Sequence, residues 1–341
     1  MIDDKEGWAF SQNFLLKTQD SGRNWLNITP AGIQAILSTI PAQGVSSFEI
    51  KGAFLDGQNA WIAVPGLNQI TIFHTLDGGQ TWRDAKLAVS APQEIYPIQI
   101  SSFTFLNSQT GWLLRSTGMA TGHEFVELYK TQNGGTTWDF VAQANQNASG
   151  ESIGSITTAG QKTGISFRDS MNGWLTGSTV GNVIFFYRTK DSGLTWGFQQ
   201  LSIPTGYTAF NGSASSYPPV FFNNKTGSVP VYLGGATPSI NLFFYITLDG
   251  GESWKPTSPL ISQTNSFIWD WLDPSHGFAA IDGSNTIAIT TDGGKSWSEV
   301  LVNGAKFHQL DFVSPMTGWA ISDKSLLQTL DGGENWHTVY P

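Results

Sequence analysis

Two carboxylates in the second half of the chain stand in the same local frame: Asp270 in Trp269-Asp270-Trp271 and Asp311 in Leu310-Asp311-Phe312. Each precedes an aromatic by one residue, so in an extended strand the pleat turns the acid to the face opposite the ring. Two such acids on neighbouring strands could share a proton, hold a cation or water, or serve as the acid and base of glycosidic bond cleavage. The equivalent places elsewhere are Ala53, Thr104, Ser166 and Val220, so the acids are confined to one side, and solvated lining of the channel is the favoured reading. The histidines, His74, His123, His276, His308 and His337, lack metal-ligand spacing, and cysteine is absent, which removes thiolate nucleophiles, Cys-based zinc sites and disulfides. No metal and no cofactor is expected. No Gly-x-Ser-x-Gly elbow, phosphate loop or dinucleotide fingerprint stands between a strand and a helix.

The elements that must position these residues are written in a repeat. An octet opening with Thr and closing with Trp occurs seven times, placing Asp20 before Trp25, Asp77 before Trp82, Asn133 before Trp138, Asp191 before Trp196, Asp249 before Trp254, Asp292 before Trp297 and Asp331 before Trp336. Asp or Asn can accept backbone amides two residues on, and the Gly two places later takes positive φ without steric cost, so the phrase predicts a tight turn closed by a buried indole. Each copy offers a single carboxylate, too few for a calcium cage. A second phrase alternates with the first, as in Gly111-Trp112 and Gly173-Trp174, and an aromatic precedes its Gly (or Ala60) by six residues: Phe54, Phe105, Phe167, Phe221, Trp271 and Phe312. One unit is therefore four antiparallel strands. The chain is expected to be all-β, a seven-bladed β-propeller of four-stranded blades forming a single domain over 1–341. Asp270 and Asp311 then fall on innermost strands facing the central channel.

In the first unit the residue six before Gly7 is Met1, so the inner strand of that blade is missing, and a leader removed upstream is the expectation. Extracellular or cell-envelope placement follows as an expectation. Net charge is −9, with 17 scattered Lys and Arg, which argues against nucleic acid. No apolar run approaches the roughly 18 to 20 residues of a membrane span. A monomer is expected.

With these phrases in hand, the chain resembles the Asp-box, or bacterial neuraminidase repeat, propellers, and its spacing is similar to the photosystem II stability and assembly factor-like subgroup. The resemblance covers every repeat and implies the fold, with the Asp turns on the rim opposite the usual pocket. It implies no single activity, since such propellers include sialidases, xyloglucan-cleaving glycosidases, sorting-receptor ectodomains and assembly factors. A sialidase needs three arginines for its substrate carboxylate; of the five here, Arg23, Arg83 and Arg188 belong to Asp turns, leaving Arg115 and Arg168. Xyloglucan enzymes resemble two joined propellers, where this chain supplies one. The long connections, Ala85 to Pro97, Val141 to Lys162, Ser202 to Pro218 and Pro256 to Ser266, carry the recognition candidates. With the hairpins they offer Tyr96, Arg115, His123, Glu124, Tyr207, Phe210 and Tyr217 as ligand-binding residues. The expected function is non-enzymatic binding or scaffolding of a protein or glycan, and the alternative is a glycoside hydrolase using Asp270 and Asp311.

Overall fold

The computed structural model describes residues 1–11, 14–39, 49–89, 98–144, 156–181, 183–207, 213–234, 239–262, 267–323 and 325–341. Four of its sheets hold four antiparallel strands in sequence order: Lys51–Phe54 to Arg83–Ala88, Gln99–Phe105 to Asp139–Ala144, Phe267–Trp271 to Ser298–Leu301, and Phe307–Phe312 to His337–Tyr340. The first sheet has three strands, Gly7–Ser11, Phe14–Thr18 and Leu26–Asn27. Two more antiparallel groups of four, Gln161–Phe167 to Gly197–Phe198 and Val220–Phe221 to Lys255–Pro256, are joined by Ser213–Ser216 and, with Leu260–Ser262 paired to Ile240–Thr247, form one ten-stranded sheet. A short helix, Gly32–Leu37, follows the first sheet and is an exception to the all-β expectation. It packs Ile33 into the first core, where Leu15, Ile62 and Phe73 lie.

The six-residue spacing of aromatic and Gly is a register rule. Phe105 pairs with Gly111, Phe167 with Gly173 and Phe312 with Gly318. The ring lies over its partner so closely that a Cβ on Gly173 or Gly318 would come within 2.5 Å of it. The indole after the Gly then reaches the next sheet: Trp61 stacks on Phe105 at 3.8 Å, Trp112 on Phe167 at 3.6 Å, and Trp174 on Phe221 at 4.7 Å. These are the residues that exclude water between sheets, for Trp61, Trp112 and Trp174 are fully buried. In the fifth repeat Ser228 replaces the indole, and the first-strand aromatic of the next repeat is the larger Trp271. The last sheet meets the first through Trp319, whose Nε1 donates to the Ser21 carbonyl at 3.0 Å.

The Asp turn is built differently from the sequence expectation in two respects. Its hub is the opening Thr: the Thr75 hydroxyl donates to Asp77 at 2.8 Å and accepts the Gly79 amide at 2.8 Å, while Asp77 accepts the amide and hydroxyl of Thr81, four residues on. The closing indoles are mostly half-buried, and four of them, Trp25, Trp138, Trp196 and Trp336, cap the turn by donating to the carbonyl of its own glycine at 2.9 to 3.1 Å, while Trp82 and Trp297 donate instead to the Ile28 and Ser258 carbonyls. Each box is also clamped to the first hairpin of its own sheet, as where the Gly134 amide donates to Gln109 and the Gly250 amide to Lys225. First-to-second and third-to-fourth turns therefore share one end of the molecule. The second-to-third turns and the inter-sheet connections occupy the other.

These turns have an acid signature. Hydrogen bonds led by the hydroxyls of Thr81, Ser253 and Ser296 hold the carboxyls of Asp77, Asp249 and Asp292 down at about 2. A carboxyl lowered from its ordinary value near 3.9 contributes stability that is present above that value and is lost as pH falls through the folded value. The turns are thus expected to loosen between about pH 4 and pH 2. Asn133 accepts the Thr137 amide at 2.9 Å with nothing to titrate. Amide protection factors across this range should fall at Thr81, Ser253 and Ser296 and hold at Thr137.

Candidate functional site

The structure brings the two channel acids together, at the box end of adjacent first strands. Asp270 accepts a hydrogen bond from the Phe312 amide across the sheet boundary, and Asp311 pairs with the Met1 amino group. Burial pushes the Asp270 carboxyl up, against the pull of the Phe312 amide and the Met1 charge. One oxygen of the pair is thereby committed to holding sheets together.

The arginines are similarly committed. Arg168, left for the pocket face by the sequence, lies instead at the box end, donating to the Gly250 carbonyl and to Asp169. Arg188 bonds Glu252 at 2.8 Å and the Gly251 carbonyl at 3.3 Å, so both guanidinium groups tie the fourth repeat to the fifth box. Arg115 is 2% exposed and paired with Glu127 at 2.6 Å, which in turn accepts the Tyr129 hydroxyl at 2.6 Å. It faces the interior because strand Gly111–Ala120 is covered on both faces through Arg115. Neighbouring sheets pack against either side, so alternation does not mark a solvent face.

Glu124 is likewise buried, accepting the Lys162 amide at 2.5 Å. The Lys162 ammonium is caged by the carbonyls of Glu124, Thr158, Ala159 and Gly160 at 2.9 to 3.2 Å. Burial lowers its pKa to about 8. Arg115 and Glu124 therefore hold the hairpin and the following connection rather than presenting charge to a ligand. His123 beside them is exposed, with Nδ1 at 3.3 Å from the Thr158 hydroxyl.

Tyr96 and Phe210 lie outside the described residues. Tyr207 stands edge-on to Phe243 at 4.8 Å. Tyr217 stands edge-on to both Tyr232 and Trp269 at 5.3 Å, and its amide donates to Pro230 at 2.9 Å. Tyr217, Tyr232 and Trp269 are all half-buried, and burial raises the Tyr217 and Tyr232 phenols. Tyr232 and Trp269 escape a sequence reading because they sit inside strands that look like core. His308 also escapes it: its ring bridges Asp282 at 2.7 Å and Asp323 at 3.3 Å, in the second-to-third turns of the last two sheets. Those two hydrogen bonds raise its pKa. All three acceptor and donor groups are exposed, which makes it a weak surface tie.

The BNR/Asp-box repeat model matches residues 288–299, the turn and strands around Asp292. The chain is 25% identical over 300 residues to the photosystem II assembly lipoprotein Ycf48 of Synechococcus sp. (strain CC9902), covering 86% of this chain and 72% of that protein. The structure of YCF48 from Cyanidioschyzon merolae superposes with a TM-score of 0.55 at 17% identity, over 97% of this chain and 92% of the other. The chain carries an Asp-box repeat and has the fold of the YCF48 structure. The propeller resembles the photosystem II assembly factors in its repeats. A structure of YCF48 bound to D1 peptide superposes with a TM-score of 0.50 at 19% identity, over 91% and 88% of the two chains. A GH74 xyloglucanase from Xanthomonas campestris superposes with a TM-score of 0.61 at 12% identity, the propeller spanning 99% of itself and 53% of that enzyme. At such identities the superpositions speak for the fold.

Proposed function

We propose that the chain is one domain over 1–341, a seven-bladed propeller working outside the cytoplasm, and that it binds a protein segment without catalysis. The segment is taken at the end opposite the boxes. The observation that carries this reading is the trio Tyr217, Tyr232 and Trp269, half-buried rings with polar tips set where an inter-sheet connection meets two sheets. Such rings supply contact area at little entropic cost. The likeness to the Ycf48 lipoprotein, and to a YCF48 structure holding D1 peptide, supports a protein ligand and an envelope location. The hydrolase alternative loses support because Asp270, one of its two carboxylates, is engaged by the Phe312 backbone amide across the sheet boundary.

The test is a calorimetric titration with D1 peptide together with a turnover assay on xyloglucan and sialosides. Binding without turnover is expected, and Tyr217→Ala should weaken it about tenfold, roughly 1.4 kcal/mol. Hydrolysis that disappears in Asp311→Asn would establish the enzyme instead.

A further inference from the structure

The first sheet has a fourth strand of two residues, Leu26–Asn27, and the chain leaves it through Ile28, Thr29 and Pro30. A groove of about 1000 Å³ opens there, between this sheet and the box of the second. Its carbon surface includes two half-buried box indoles, Trp25 from the first sheet and Trp82 from the second. Their Nε1 groups are engaged by the Gly22 and Ile28 carbonyls, at 2.9 and 3.0 Å. The fifth repeat has an equally short fourth strand, Lys255–Pro256, yet there the Ser258 hydroxyl crosses to the next box and donates to the Lys295 carbonyl at 2.8 Å. Thr29 holds that place in the first repeat, and its hydroxyl turns back to accept the Leu15 amide at 2.8 Å. Gln80, the counterpart of Lys295, lines the groove instead.

The polar groups left open in this groove are carboxamides. Gln58 and Gln80 are exposed, and their side chains make no hydrogen bond among the described residues, while Asn27 uses its oxygen to accept the Thr29 amide and hydroxyl. Each such amide can donate and accept at once. Main-chain groups of the walls are already paired, the Ile28 amide to Leu15, the Gly78 amide to Gln58 and the Gly79 amide to the Thr75 hydroxyl, so the groove presents no strand edge to a peptide. Charge argues against an anion. Asp20 and Asp77 both line the groove, held below the ordinary carboxylate value by hydrogen bonds led by the Asn24 side chain and the Thr81 hydroxyl. The lining's single ammonium, Lys17, is 7% exposed and donates to the Gly57 carbonyl at 2.6 Å. A metal ion fits no better, because turn amides and hydroxyls already occupy both carboxylates, and no group of three His, Asp or Glu among the described residues is placed to hold one.

We propose that the groove binds a neutral oligosaccharide, its sugar rings against the indoles of Trp25 and Trp82 and its hydroxyls bonded by Asn27, Gln58 and Gln80. Sugar hydroxyls donate and accept as carboxamides do, and the C–H face of a pyranose suits the carbon surface of an indole. This site lies at the box end, opposite the aromatic trio, so either reading can fail alone.

The experiment titrates the 341-residue chain by calorimetry with cellohexaose, mannohexaose and chitohexaose, and with hexagalacturonate as the charged control. The expected result is saturable binding of at least one neutral hexasaccharide, with a Kd on the order of 1 mM or tighter and about tenfold or more below that of hexagalacturonate. Gln58→Ala combined with Gln80→Ala should weaken it about tenfold, while Tyr217→Ala leaves it unchanged. Both glutamines are exposed, so the double variant should keep the parent's urea midpoint, which checks its fold. Binding of none of the neutral hexasaccharides overturns the proposal, as does hexagalacturonate binding as tightly as they do. Undiminished affinity in the glutamine variant, or a loss that follows Tyr217→Ala, overturns it too. So does a D1 peptide that binds the parent chain and is lost in the glutamine variant, since the groove would then be a peptide site.

Discussion

Trp112→Ala is expected to lower the unfolding free energy by about 3–5 kcal/mol, the range for cutting a buried aromatic back to alanine. Three losses coincide. The indole is fully buried, it lies parallel to Phe167 at 3.6 Å across the sheet boundary, and its Nε1 donates to the Ser192 carbonyl at 3.1 Å in the next box. Removing it opens a void between two sheets and leaves that carbonyl without the donor. Urea denaturation gives the difference as a lower midpoint. Trp297→Ala serves as the comparison, since that box indole is half-buried and should cost clearly less. Equal losses at the two positions would mean that the Gly-Trp indoles are not the principal fasteners.

The second large effect is expected at Glu127. Its carboxylate receives two contacts from Arg115, at 2.6 and 2.7 Å, and the Tyr129 hydroxyl. Glu127→Ala removes the carboxylate that faces a guanidinium 2% exposed, and breaking one side of a buried ion pair typically costs about 3–5 kcal/mol. The pair itself is worth less than that figure, because desolvation offsets much of the attraction. The double variant Arg115→Leu with Glu127→Leu should therefore recover much of the loss. A double variant as unstable as the single one would show that packing around the pair, and not the loss of the opposing charge, sets the cost. Denaturation of the three variants measures it.

Much of the architecture was legible because it is local and repeated. Asp77 with Gly79, and Phe105 with Gly111, are constraints within a few residues, and each recurs, so chance patterns average out. What escaped depends on where sheets meet. Arg115 looked like an exposed arginine and Glu124 like a loop acid, because nothing nearby in the sequence announces the second layer that buries them. Arg168 was misplaced for the same reason: its partner, the Gly250 carbonyl, is contributed by the next repeat. Ser213–Ser216 has no β-branched or aromatic residue to mark it as a strand, and it lies in what reads as a recognition loop. The Thr hydroxyl at the heart of each box was visible as a repeated letter, but its role needed coordinates. Tyr217 alone of the singled-out aromatics lies in the half-buried trio, and its partners Tyr232 and Trp269 were hidden within strands.

Ser213–Ser216 also alters how the molecule can come apart and how its gene can change. It bonds to Ser178–Val180 on one side and to Val231 and Tyr232 on the other. Two repeats are thereby stitched by main chain where side chains alone would otherwise serve, so they should melt as one cooperative block. Deleting or duplicating a single repeat is an ordinary way for such rings to evolve. At this junction the same event tears a ladder on both sides and leaves two raw edges, which makes it the seam most resistant to recombination.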